Sequence, residues 1–161
     1  MRVTRHPEGV ETEDGVFVVY DVERDEAHFG AARVDGDAIV WEIDERPEGD
    51  WLIRCDRVDF PPGGIAFTHT HPGPGLRMLL KGRLRVETGG ETHEYAPFES
   101  WYESGPDPVY AVASETEETS FVRVLLLPAE WEGRRTIRYI DPADEAKPKL
   151  QAARIYFEHR L

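Results

Sequence analysis

The chain has 161 residues, enough for one domain of ordinary size to bury a core, and 40% hydrophobic with 11% aromatic residues is a globular composition. With 32 Asp and Glu against 19 Lys and Arg the formal net charge is −13, which repels a polyanion and removes nucleic acid from the expected partners. No stretch approaches a membrane span, Met1 to Asp21 lacks the basic, apolar and small-residue succession of a signal peptide, and the one cysteine, Cys55, has no internal partner, so a cytoplasmic location and a small buried thiol are expected.

In chain order, Met1 to Asp14 is polar and punctuated by Pro7 and Gly9, and reads as an arm. Val16 to Tyr20 and Ala38 to Ile43 are β-rich runs on either side of a charged connection, Asp21 to Ala27. Arg46 to Asp50, with Pro47 and Gly49, connects them to a longer pattern. Trp51 to Phe60 mixes Arg54, Asp56, Arg57 and Asp59 with Leu52, Ile53, Val58 and Phe60; a bulge near Asp56 is expected to turn the charges outward. After Pro61-Pro62-Gly63-Gly64 comes a strand in which strict alternation puts Ile65, Phe67, His69 and His71 on one face.

The Pro-Gly-Pro-Gly run Pro72 to Gly75 must turn the chain, and Leu76 to Leu80 returns from it. Arg83 to Glu87 and Glu91 to Tyr95 flank Gly89-Gly90 as a hairpin, and Trp101 to Glu103, Val109 to Ala113 and Ser120 to Leu127 supply further short strands. Beyond Pro128, Thr136 to Ile140 reads as a strand and Leu150 to Phe157 as a helix or a terminal strand, the strand being favoured, in a tail that cannot bury itself and packs across the rest or onto a second copy. Short strands with Gly and Pro turns and no sustained 3.6-residue period argue for a β-sandwich or barrel.

The stretch Gly63 to Gly82 resembles the first motif of the cupin superfamily, in which Gly is followed after five residues by His-x-His, then by Glu and by Gly. Gly63, His69, His71 and Gly82 fall at matching positions, and Gly75 stands where the Glu is expected. The resemblance extends over about Asp50 to Pro128. It implies an all-β fold, the double-stranded β-helix or jelly-roll barrel, here as a single domain 1–161 with an arm at 1–14, the barrel pattern at 50–128 and a C-terminal extension at 129–161. The second motif of the superfamily belongs between Tyr95 and Ser114, a window with a Pro- and Gly-containing turn but neither His nor Asn; Tyr110 aligns with the missing His.

The resemblance locates the chemistry at the barrel mouth, where His69 and His71 are the candidate ligands of a divalent metal (Fe, Mn, Ni or Zn). Two imidazoles need a third ligand for usable affinity, and Glu103, Tyr102 and Tyr110 are near by sequence. Arg77 shares the inward face with Gly75 and Leu79, and a buried guanidinium must be paired, either with Glu103 or with the carboxylate of a small ligand. Two functions follow. In one, a metal-dependent enzyme of oxygenase, isomerase or lyase type acts on a small acidic molecule, with Arg77 and Tyr102 holding the substrate and Tyr110 or Glu103 moving a proton. In the other, a metal-free, non-catalytic cupin binds a small molecule through the same histidines. A homodimer through a strand edge or an exchanged arm is expected in either case.

Overall fold

Short β-branched and aromatic runs separated by Gly, Pro and acidic turns fold as strands along nearly the whole chain. The structure is a computed structural model that describes residues 1–44 and 47–161. Of the expected connection Arg46 to Asp50, Arg46 lies outside the described residues. Helix is confined, among the described residues, to 3-10 turns at Ala129–Trp131 and Pro142–Ala146, and no helix is long and apolar enough to cross a membrane.

The N-terminal part comprises β1 (Arg2–His6), β2 (Val10–Thr12), β3 (Phe17–Asp21), β4 (Glu26–Phe29), β5 (Ala32–Val34) and β6 (Ala38–Glu42). They form a sheet in the order β1-β6-β3-β4 and a β2-β5 ribbon. The polar segment expected as an arm is thus sheet: Arg2 to His6 pairs with Glu42 to Ala38 in unbroken antiparallel register. Its composition hides this because β1 is an edge strand with mostly exposed side chains, and such a strand needs little apolar surface.

The barrel follows as β7 (Trp51–Phe60), β8 (Ile65–Thr70), β9 (Gly75–Lys81), β10 (Leu84–Thr88), β11 (Glu91–Tyr95), β12 (Ser100–Glu103), β13 (Val109–Ala113), β14 (Thr119–Pro128), β15 (Arg138–Tyr139) and β16 (Ala152–Arg160). Two five-stranded antiparallel sheets result, β11-β10-β13-β8-β15 and β12-β9-β14-β7-β16, the arrangement of a jelly-roll barrel. The Gly89-Gly90 hairpin forms as expected, both residues having the positive φ (60° and 80°) that a two-residue turn requires.

The sheet containing β7, β9 and β14 is buried on both faces. Ile53, Cys55, Met78, Val122, Val124 and Leu126 pack outward against Val18, Tyr20, Ile39, Trp41 and Ile43 of the N-terminal sheet. Trp41 Nε1 also donates to the Leu76 carbonyl at 3.0 Å. On the other face Val58, Phe60, Leu79, Trp101 and Phe121 meet Ala66, Leu84, Val86, Val109, Ala111 and Ala113 across the barrel interior. A sheet covered twice has no solvent face to mark with polar residues, so β14 reads as a near-continuous apolar run.

This double burial overturns the expectation that charges in Trp51 to Phe60 turn outward at a bulge. The β7–β14 register is unbroken from Trp51 to Phe60, and Arg54 and Asp56 alternate inward with Val58 and Phe60. They are tolerated there because each is paired. Arg54 bridges to Glu158 of β16 and donates to the carbonyls of Trp131 and Arg134, while Asp56 takes a two-pronged contact from Arg123 at 2.6 and 3.1 Å. The C-terminal extension docks on the barrel as well: β16 runs antiparallel to β7 at the sheet edge.

Candidate functional site

A cavity of about 340 Å3 opens between the two barrel sheets. Its apolar lining includes Val58, Phe60, Leu84, Val86, Val109 and Phe121, and its polar lining His69, His71, Arg77, Glu103, Asp56 and Arg123. The extension closes part of it, contributing Arg134 to Ile137, Tyr139, Lys149, Gln151, Ala153 and Ile155.

The two histidines reach the cavity by a route that simple alternation misses. Between β8 and β13, Ala66 pairs with Ala111 but His69 pairs with Val109, so β8 carries one extra residue. That bulge puts Ala66, His69 and His71 in the lining, whereas Ile65 and Phe67, expected on the histidine face, are not part of it. His69 and His71 are 5% and 4% exposed, with ring centroids 4.9 Å apart and planes at 81°. His69 Nδ1 lies 2.7 Å from the Phe67 carbonyl; donating to it leaves Nε2 as the lone-pair nitrogen. Burial holds both rings below the usual imidazole range. For His71 the guanidiniums of Arg123 and Arg77 add to the effect, so this ring stays neutral at physiological pH.

Arg77, 1% exposed, sits beside Glu103: Nη2 lies 2.5 Å from Oε2 while Nη1 donates to the Gly75 carbonyl at 2.7 Å. Burial pulls the guanidinium down to about 10 against the opposing influence of Glu103, so Arg77 is still a cation at neutral pH. Glu103 also accepts from Trp101 Nε1 at 2.9 Å and lies 3.7 Å from His71 Nε2. His69, His71, Arg77 and Glu103 are thus gathered into one lining.

Tyr102 and Tyr110 are not. On β12 the inward positions are Trp101 and Glu103, which leaves Tyr102 58% exposed; on β13 they are Val109 and Ala111, which sends the half-buried Tyr110 to the opposite face. Sequence reasoning left Asp56, Lys149, Gln151 and Tyr139 out of the site. The available signal was the extension itself, which has too little apolar surface to fold alone and so had to cover something.

The donor set does not fit a resident divalent cation. Two imidazoles converge, but the charge of Glu103 is balanced by Arg77, its Oε1 accepts from Trp101, and among the described residues no three His, Cys, Asp or Glu side chains come together as a metal-holding group. Position 75 cannot supply the missing carboxylate: a Cβ on Gly75 would lie 2.4 Å from Leu125 Cδ2 and 3.0 Å from both Arg77 Nη1 and the Val124 carbonyl. The positive potential of Arg77 and Arg123, which disfavours protonated His71, disfavours a metal ion there for the same reason.

Residues 56–124 match the family model of the cupin domain. No curated protein matches the chain. Among solved structures, a protein of unknown function from Rhizobium leguminosarum bv. viciae 3841 is 28% identical over 47% of this chain and 70% of its own, with a TM-score of 0.42. The polyketide cyclase RemF from Streptomyces resistomycificus is 20% identical over 55% of this chain and 61% of its own, with a TM-score of 0.45. KdgF from Halomonas sp. is 21% identical over 50% and 73%, with a TM-score of 0.41. With its paired five-stranded sheets and a family-model match at 56–124, this chain carries a cupin domain over that segment, within a jelly-roll barrel.

Proposed function

We propose that the cavity binds a small organic anion, a carboxylate joined to an apolar body, without a metal ion. The observation that carries this reading is the charge of the lining. Arg54, Arg77, Arg123, Arg134, Arg135 and Lys149 line the cavity; Glu158, Glu103, Asp56 and Glu145 pair with four of them, which leaves Arg134 and Lys149 as an excess of positive charge in a chain whose formal charge is −13. A concentrated positive field inside an acidic protein draws anions into the cavity and away from the outer surface. The apolar wall of Val58, Phe60, Val86, Val109 and Phe121 supplies room for a hydrocarbon or aromatic body, and the volume is in the range of small-ligand sites.

In this reading Arg77 contacts the carboxylate, His69 and His71 are neutral hydrogen-bonding groups, and Glu103 orients Arg77. The alternative, a metal-dependent enzyme acting on a similar acid, is supported by the facing imidazoles alone. Its nearest third ligand, Glu103, is ion-paired with Arg77, and Tyr110 and Tyr102 do not line the cavity. Assembly as a homodimer is a separate proposal, supported by the outer edges of β11, β12 and β16, which end their sheets.

Calorimetry of the untagged protein with aryl and alkyl carboxylates, in EDTA, tests the reading. Binding that persists in EDTA, with metal content under about a tenth of an equivalent after incubation with Fe, Mn, Ni or Zn salts, is expected. Stoichiometric metal uptake that disappears when His69 and His71 are both replaced by Ala would overturn it.

A further inference from the structure

We infer that the anion is a hydroxycarboxylate, with a hydroxyl on a carbon next to its carboxylate. This rests on the anion-binding reading above and narrows its ligand.

Three side chains in the lining are more than nine-tenths buried, and each has one atom with no hydrogen-bond partner: Arg77 Nη2, His71 Nδ1 and Glu103 Oε2. Buried polar atoms in folded proteins are nearly always fully partnered, so the bonding capacity left on these three atoms describes the ligand that completes it. Arg77 Nη2 and Glu103 Oε2 are ion-paired at 2.5 Å; beyond that contact Nη2 has a second N–H and Oε2 further lone pairs, for which no other side chain supplies a partner.

These two atoms make opposite demands. Arg77 Nη2 is only a donor, and ionised Glu103 Oε2 is only an acceptor. A plain carboxylate offers acceptors alone; it satisfies Arg77 and is repelled by Glu103. A ligand that satisfies both presents an acceptor and a donor side by side, because the atoms that read them are themselves adjacent. A carboxylate with a neighbouring hydroxyl does this, and His71 Nε2, 3.7 Å from Glu103 Oε2, borders the same space. An ammonium in place of the hydroxyl would also donate, but it would add a cation to a lining that already has six. Gln151 Oε1, on the wall built by the extension, is a further buried acceptor without a donor.

The test uses the intact chain and a matched series: 3-phenylpropanoate, both enantiomers of 2-hydroxy-3-phenylpropanoate, phenylalanine and 3-phenylpropane-1,2-diol, with hexanoate and 2-hydroxyhexanoate as an alkyl pair, measured by calorimetry in EDTA. One enantiomer of a hydroxy acid is expected to bind at least about tenfold tighter than its deoxy partner, since a site built to bond a hydroxyl penalises its loss. The amino acid and the diol are expected to bind more weakly than that enantiomer. Equal affinity for hydroxy and deoxy acids, as a bridging water in place of the hydroxyl would give, overturns the hydroxyl inference and leaves the anion site standing. Tightest binding by phenylalanine or by the diol also overturns it. No binding by any acid of the series removes the anion reading together with it.

Discussion

The guanidinium of Arg77 occupies space that a side chain at Gly75 would need, its Nη1 lying 3.0 Å from where a Cβ on that glycine would stand. The glycine and the arginine are one structural choice: the position that carries an acid in the superfamily motif is empty so that a cation can lie across it. Reinstating the acid by Gly75→Glu is therefore expected to damage the barrel without creating a metal centre. The new side chain meets Leu125 and the Val124 carbonyl, an overpacking worth about 1–3 kcal/mol. Denaturant unfolding and metal analysis of the variant check this; wild-type stability with tight ion uptake would refute it.

Arg77 and Glu103 are a buried pair, and such pairs are costly to break but cheap to delete together. Arg77→Met alone strands the Glu103 carboxylate and is expected to lose about 3–5 kcal/mol of unfolding free energy. Combining it with Glu103→Leu is expected to restore most of that loss. Both variants are expected to lose carboxylate binding. Urea midpoints for the set, read beside calorimetric titrations, separate stability from recognition.

Most strands were legible because Gly, Pro and acidic turns punctuate the chain, and β7 and β13 begin and end where their apolar runs do. The inward Arg77 was legible by parity with Leu79, and so was its pairing with Glu103. What parity could not give was the third layer. Once the N-terminal sheet covers β7, β9 and β14, both faces are interior, and Arg54 and Asp56 read as surface residues only because their partners, Glu158 and Arg123, lie far along the sequence. The bulge in β8 was equally hidden: His69 and His71 kept their shared face, but Ala66, not Phe67, joins them, since register against β13 is a long-range property. Tyr110 was placed by alignment to a motif that β13 does not follow, and alternation along the strand sends it outward.

The buried histidines make a pH prediction whose sign is fixed. Burial lowers both imidazoles below their ordinary value near 6.5, so beneath that pH the unfolded chain binds protons that the folded protein does not. Stability is therefore full above about pH 6.5 and falls as pH drops through the unfolded value, with a slope of up to about 1.4 kcal/mol per pH unit for each ring. The His69→Gln, His71→Gln double variant is expected to flatten the profile between about pH 5 and 6.5. Unfolding free energies at closely spaced pH values test it, and an unchanged slope would mean that the rings titrate normally.

Asp25 ties the C-terminal strand to the N-terminal sheet. It accepts from Tyr20 at 2.6 Å and from Tyr156 and Arg154 of β16, and faces Arg57 of β7 at 3.2 Å. Burial by itself would raise its pKa, but the hydrogen bonds from Tyr156, Tyr20 and Arg154 prevail and hold it well below the usual carboxylate range. Its contribution is therefore present above the unfolded value near 3.9 and lost as pH falls further, a window below that of the histidines. Asp25→Asn keeps the size and, like Asp, tolerates the residue's positive φ of 56°, so the change isolates the charge. We expect a loss of about 1–3 kcal/mol, together with faster amide exchange concentrated in Ala152–Arg160, because β16 pairs on only one side, with β7. Since Ala153 and Ile155 of that strand line the cavity, the same variant should also weaken carboxylate binding, a coupling that calorimetry reads directly. Uniform exchange across the barrel instead would show that Asp25 supports the whole fold and not this strand.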